Sequence, residues 1–379
     1  MTMHSFKTVP DIRIERGGAA RLAAHIAGFG AERVAVVTDK GVRGLGLLDA
    51  GLASLEEAGL SVMVFDDVVA DPPEEVVLAG AEAIKEFGAD LIVGFGGGSP
   101  MDTAKVIAHL AASDQPLSEI YGVDKALGPT LPLVLVPTTS GTGSEVTNVA
   151  ILTTGKTAKQ GVVADALYAD RVVLDAELTL GLPAHITAAT GIDAMVHAIE
   201  AYTSQHRKNP MSDALALTAL RKLKRSLVRA TTDGRDIEAR EDMLIGAMIA
   251  GQAFSNAPVG AVHGLAYPLG GFFHVPHGLS NSLVMTEVIK FNSEEERAKR
   301  WYGEIAGELG LAETPMALID EIERLKDGTK VPRLLRDVEI PDSAIPMMAD
   351  DAITKERVLR NNPREVGYQD ILDIYGAIA

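Results

Sequence analysis

Short β-branched runs alternate with helical patterns through the first half of this chain, and that alternation limits its fold more than any other feature. The runs lie at 33–38 (RVAVVT), 61–66 (SVMVFD), 90–95 (DLIVGF), 132–136 (PLVLV) and 171–175 (RVVLD). Between the first three, residues 45–58 and 74–88 read as helices. Strands separated by helices do not pair as hairpins, so they are expected to lie parallel, with the helices on the faces of the sheet. After Leu180-Gly181-Leu182-Pro183 the strand-like runs vanish. Ala-, Leu- and Met-rich helical patterns follow at 184–204, 211–230, 238–254, 278–291 and 294–309, and 327–345 reads as an irregular passage. The predicted organisation is α/β: a Rossmann-like parallel sheet domain over 1–181, then an all-helical domain over 182–379. Two domains also suit 379 residues, more than one core usually serves.

The run Gly94-Phe95-Gly96-Gly97-Gly98-Ser99-Pro100-Met101-Asp102 follows a predicted strand and opens a predicted helix. Its glycines let the backbone approach a ligand closely. Ser99 suits the N-cap, Pro100 the first helical position, and Asp102 the first turn. Free N–H groups at such a helix start favour an anion, here a pyrophosphate. The spacing departs from G-x-G-x-x-G, and a tight turn with no ligand has the same composition. Asp39, ending the first run, can accept hydrogen bonds from an adenosine ribose and repel a 2′-phosphate, or can serve as a plain turn residue. A third polar loop, VPTTSGTGSE at 136–145, carries hydroxyls that can meet a ribose or base edge, although ordinary loops are rich in them too.

In the second half, Asp193 and His197 stand four residues apart in an Ala- and Ile-rich run, so a helix points them the same way. A carboxylate among apolar neighbours is costly unless paired or metal-bound. His263 and His277, fourteen residues apart, supply two more imidazoles. One aspartate and three histidines suit Fe2+, Zn2+ or Mn2+, and the chain has no cysteine to offer a thiolate. His274 can support a ligand, face a substrate, or be a satisfied structural imidazole. His4, His25, His109, His185 and His206 lack partner spacing and read as surface or structural groups.

Composition narrows the partners. A net charge of −17 with no basic block argues against nucleic acid and anionic membrane surfaces. The opening MTMHSFKTVPDIRIERGG lacks the apolar core of a signal peptide, and a cytoplasmic location is expected. Residues 243–273 contain no Lys, Arg, Asp or Glu, yet Gln252, Asn256, Pro258, His263 and Pro268 interrupt them. Buried core or site lining is expected there, not a membrane span.

Several long motifs, in order, resemble the iron-containing (group III) alcohol dehydrogenases over nearly the whole chain. They are GGGSPMDTAK at 96–105, VPTTSGTGSEVT at 136–147, ATGIDAMVHAIEAY at 189–202, AVHGLAYPLGGFFHVPHG at 261–278 and NNPR at 361–364. The resemblance implies an active site in the cleft between an α/β domain and a helical domain. It implies Asp193, His197, His263 and His277 as metal ligands and catalytic centre, with Fe2+ as the expected metal and Zn2+ as the alternative. Gly97, Gly98 and Ser99 would cradle the pyrophosphate of NAD, with Asp102 in the same cofactor-binding set. Thr138 and Thr139 would line its adenine and ribose side, and Thr142 continues that loop. Asp39 would favour NAD over NADP, and Lys159 falls where the family has a lysine near the cofactor ribose. Phe254 would border the substrate pocket, together with Tyr267 and His274. Many family members carry a histidine four residues after the third ligand, where this chain has Tyr267. A phenol donates a hydrogen bond but is a poor proton shuttle near pH 7. Similar proteins are commonly dimers, so a homodimer is expected.

The expected reaction is metal-assisted hydride transfer between a small neutral alcohol or diol and its aldehyde or ketone. Residues 243–289 hold no Lys or Arg, which argues against a phosphorylated substrate. Rival readings are an oxoacid or hydroxyacid reductase or transhydrogenase resembling maleylacetate reductase, a lyase resembling dehydroquinate synthase, and a non-catalytic nucleotide or metal sensor.

Overall fold

The computed structural model describes residues 4–155 and 158–379. The chain divides into two compact units. One comprises Thr8–Thr139 and Gly143–Leu180; the other comprises Gly181–Ala379 with Ser140–Thr142 and the N-terminal residues to Lys7.

The first unit carries strands β1 (Ile12–Ile14), β2 (Arg33–Asp39), β3 (Ser61–Val68), β4 (Leu91–Gly96), β5 (Gly122–Val123), β6 (Leu133–Pro137), β7 (Val149–Thr154), β8 (Ala158–Val163) and β9 (Arg171–Leu174). Its helices are α1 (Leu22–Ile26), α2 (Lys40–Gly44), α3 (Asp49–Glu57), α4 (Glu74–Phe87), α5 (Gly98–Ala112) and α6 (Leu117–Ile120). Six strands form one sheet in the order β1-β9-β6-β4-β2-β3, every pairing parallel. The expected parallel α/β layout is therefore present. Every residue of the central strands β4 and β6 is buried, whereas the edge strand β3 is mostly half-exposed. Continuous apolar runs are what a sheet covered on both faces requires.

The strand order reverses beside β2. The chain passes outward to β3, then returns to place β4 on the opposite flank of β2, and continues to β6 and β9. In open α/β sheets a crevice forms at the carboxyl ends of the strands at such a reversal.

Two features go beyond the sequence reading. β1 joins the sheet at its far edge, and β5, β8 and β7 form a separate three-stranded sheet. The helix start also differs from expectation. Gly97, not Ser99, is the N-cap of α5, so Pro100 is the third helical residue and Asp102 lies beyond the first turn. Pro100 is tolerated there because the N–H groups of a first turn have no partner within the helix. Gly96 has φ +149, and a Cβ there would meet Pro100 Cγ at 2.7 Å, so the entry to α5 demands glycine.

The second unit is built from α7 (Ala184–Thr203), α8 (Pro210–Thr232), α9 (Ile237–Asn256), α10 (Ala261–Phe273), α11 (His277–Asn292), α12 (Glu296–Glu308), α13 (Pro315–Thr329), α14 (Ile345–Ala352), α15 (Glu356–Leu359) and α16 (Tyr368–Gly376). α7 is the central rod, buried without a break from Gly191 to Thr203, and it packs against α8, α9 and α11. α8 begins with Asn209 accepting from Met211 N and Ser212 N, with Pro210 at the first helical position. α10 and α13 were not among the expected helices. α10 is masked by Pro268 within it, and α13 runs to Thr329, into the stretch read as irregular. No described helix is long and apolar enough to cross a membrane.

Candidate metal centre and nucleotide-binding turn

Three helices bring the candidate ligands together. Asp193 and His197 face the same way from α7, His263 stands in the first turn of α10, and His277 opens α11. One ligand atom from each lies within 4.8 Å of all the others. Asp193 Oδ1 is 3.6 Å from His277 Nε2 and 3.9 Å from His197 Nε2. Four ligands ~2.1 Å from a common centre stand about 3.4 Å apart in a tetrahedron, so the set fits a small divalent cation.

The electrostatics agree with that donor set. Burial pushes His197 down to about 3, opposed by Asp193 and reinforced by His263 and His277, so the ring is neutral at pH 7 and keeps a lone pair to donate. Burial alone would raise Asp193. His197, His277, His263 and the Asn281 amide together hold it below the usual carboxylate range instead. An ionised Asp193 beside a neutral His197 ring is what a metal needs.

Sequence reasoning missed two residues here. Asn281 Nδ2 donates to Asp193 Oδ1 at 2.7 Å and lies 3.3 Å from both His263 Nε2 and His277 Nε2. Glu200 Oε2 lies 2.6 Å from His263 Nδ1, and its Oε1 accepts from Val262 N at 2.7 Å. Helical period was the available signal: Glu200 is seven residues after Asp193, and Asn281 four after His277.

Phe254, on α9, stacks on His197 with ring centres 4.3 Å apart. The Tyr267 ring lies 6.5 Å from that of His263 and 6.4 Å from that of His277. Burial raises its phenol above the ordinary tyrosine range, so it stays protonated. His274 is exposed and caps α10 with φ +56. Of the five histidines set aside, His4, His185 and His206 are exposed; His25 and His109 are buried.

In the first unit, Asp39, the glycine turn and Thr138-Thr139 stand at the carboxyl ends of β2, β4 and β6, three adjacent strands. Asp39 Oδ1 accepts from Val42 N at 2.9 Å and caps α2. The start of α5 leaves the Gly98 and Ser99 N–H groups without acceptors inside the helix. Thr139 lies against Gly97, its Oγ1 3.6 Å from where a Cβ would stand.

Other candidates have partners of their own within the chain. Asp102 accepts from Ser144 Oγ at 2.5 Å and Ile151 N at 2.9 Å, so its carboxylate ties α5 to β7. Lys159, on β8, pairs with Asp71 at 2.6 Å and donates to Thr153. Thr142 groups with the helical unit, not with Thr138 and Thr139. Fully buried Lys105, another residue missed, donates to Ser144 Oγ, Thr147 Oγ1 and the Val149 carbonyl.

A glycine-rich helix start at the switch point of a parallel sheet, with a three-histidine, one-aspartate cluster in the same chain, is the pattern of a nucleotide-dependent metalloenzyme. The chain belongs to the iron-containing alcohol dehydrogenase family: the model of that name matches residues 10–176, and that of the family's C-terminal region matches 187–379. It is thus an oxidoreductase, and the cofactors of its family are NAD and a divalent metal. Long-chain-alcohol dehydrogenase 1 of Geobacillus thermodenitrificans is 38% identical over 369 residues, covering 95% of this chain and 93% of the relative. Among solved structures, a 1,3-propanediol oxidoreductase superposes with TM-score 0.95 at 33% identity over 100% of both chains. Sulfoacetaldehyde reductase from Bifidobacterium kashiwanohense in complex with NAD+ gives 0.91 at 28% identity, covering 100% of this chain and 99% of that one.

Proposed function

We propose that this chain interconverts a small neutral alcohol or diol and its aldehyde or ketone, with Asp193, His197, His263 and His277 holding Fe2+ or, as the alternative, Zn2+. The observation that carries the reading is the convergence of those four ligand atoms from three helices. When bound, the cation supplies Lewis acidity toward the substrate oxygen, and NAD supplies the hydride acceptor.

The protein supplies position and field. Gly97, Gly98 and Ser99 offer backbone N–H groups to the pyrophosphate. Asp39 meets the ribose diol, and Thr138 and Thr139 line the nucleoside side. Phe254 walls the substrate side, and Tyr267 donates a hydrogen bond without exchanging its proton near neutrality. Residues 1–181 act as the NAD-binding domain and 182–379 as the metal-binding and catalytic domain. The absence of Lys and Arg from 243–289 favours a neutral substrate, as does the likeness to a 1,3-propanediol oxidoreductase. The enzyme works as a cytoplasmic homodimer, which light scattering checks as a mass of about 80 kDa, twice the 40.0 kDa chain.

The deciding experiment strips the metal, restores Fe2+ or Zn2+ separately, and follows NADH with a panel including 1,3-propanediol, primary alcohols and 4-hydroxybutyrate. Steady NADH formation with the neutral alcohols is expected. His263→Ala and His277→Ala are expected to lower kcat/KM by at least about 100-fold, some 2.7 kcal/mol or more of transition-state stabilisation. Oxidation and bound cation both surviving those changes would overturn the reading.

A further inference from the structure

We propose that Glu200 is the positioning residue of this centre: it fixes the tautomer and direction of His263 and supplies a second buried negative charge beside the cation. The inference rests on the metal reading above and deepens it.

Glu200 follows Asp193 by two helical turns on α7 and is 6% exposed. Both of its oxygens are committed. Oε1 accepts from Val262 N at 2.7 Å and Oε2 meets His263 Nδ1 at 2.6 Å. Val262 is the second residue of α10, whose N-cap Gly260 has no side chain to offer, so Val262 N has no partner inside its own helix. A carboxylate there serves as the missing cap and suits the positive end of the helix dipole. The same carboxylate can only accept, so His263 must donate from Nδ1, which leaves the Nε2 lone pair facing Asp193 and His277.

Charge balance points the same way. A divalent cation with three neutral imidazoles and Asp193 keeps one uncompensated positive charge in a buried site. Glu200, one imidazole away, brings the local sum to zero. Removing one partner from such a buried set is costly because the remaining charge loses its compensation. Glu200 also lines a small cavity that mixes apolar Ile199, Val262 and Ile289 with polar Thr203, Asn292 and Tyr302.

Glu200→Gln separates this role from simple packing, since it keeps the shape and loses the charge. The amide can satisfy Val262 N with its oxygen only by presenting N–H to His263, which forces the proton onto Nε2 and spoils the ligand. Co2+ and Zn2+ affinities of the metal-stripped full chain, measured by competition with a chelator, are expected to fall 10- to 100-fold. The visible Co2+ spectrum should change in intensity and position, while metal-free thermal unfolding moves little. Glu200→Asp, which retains the charge, should recover part of the affinity and serves as the readout if the glutamine variant does not fold. Affinities within twofold of wild type and an unchanged Co2+ spectrum would sink the proposal. If wild type itself bound no Co2+ or Zn2+, the underlying metal reading would fail instead.

Discussion

Glu145 shows how much a single buried carboxyl can shape the response to pH. Burial pushes it up to about 7, with its own backbone N–H and Lys105 opposing the rise. Below pH 4.5 folded and unfolded states both hold the proton. Between 4.5 and 7 the folded state holds more, so stability falls as pH rises, and above 7 the loss is complete. Glu145→Gln cannot ionise, and Lys105 keeps its bonds to Ser144, Thr147 and Val149. The variant is therefore expected to gain on wild type from pH 4.5 to 7, by on the order of 1–3 kcal/mol, and to hold that gain at higher pH. Denaturant titrations at pH 5 and pH 8 test this; a difference that does not grow between them would refute it. Legibility at this scale followed chemistry. Asp193 and His197 were readable because a carboxylate and an imidazole four apart on an apolar helix aim at one shared partner. Glu200 and Asn281 obey the same periodicity, but a glutamate or an asparagine on a helix gains meaning only once its partner on another helix is known.

Helices and strands were legible where apolar residues recur and no competing signal intrudes. α7, α8, α9 and α11 read clearly, whereas Pro268 and a cluster of glycines hid α10. The entry to α5 was misjudged because Ser-Pro suggests a cap, while the chain turns two residues earlier on Gly97. The short β5–β8–β7 sheet escaped because β8 (AKQGVV) is too polar to read as a strand. The packing of α7 on α11 leads to a contrast between two glycines. A Cβ at Gly278 would collide with the Ala189 carbonyl and come within 3.0 Å of Asp193 Cβ, both fixed parts of α7. A Cβ at Gly191 would meet only Leu227 Cδ1 and Met243 Cε, each at 2.5 Å, the ends of side chains that can turn aside. Gly278→Ala is expected to cost about 1–3 kcal/mol and to weaken Co2+ binding at least 10-fold, because α11 carries His277. Gly191→Ala should stay within about 1 kcal/mol of wild type, the helix propensity of alanine offsetting the repacking. Equal metal affinity in the two variants would contradict the argument.

Across the whole molecule, the parallel sheet was legible because its central strands are apolar along their full length. Its order was not. Nothing in a run of valines says that β4 lies between β2 and β6, yet that order gathers Asp39, the glycine turn and Thr138-Thr139 at one edge. The proposed cation site would have a similar global effect, since its four ligands come from α7, α10 and α11. Ligand bound only to the folded state stabilises by mass action, about 2.7 kcal/mol at a hundredfold excess over Kd. Adding Zn2+ to the metal-stripped protein should raise its unfolding midpoint by several degrees, and His263→Ala should show almost none of that rise in calorimetry. An equal rise in both would place the stabilising cation elsewhere.

The cap that Asp39 provides for α2 has a practical side. One oxygen of this carboxylate already secures the first turn after β2. If Asp39 meets the cofactor ribose as proposed, retooling the protein to accept a dinucleotide bearing an extra phosphate means discharging this position without stripping its acceptor. Asparagine or serine meets both demands. Alanine would trade altered cofactor choice for an unravelled corner, and a drop in activity would then say little about recognition.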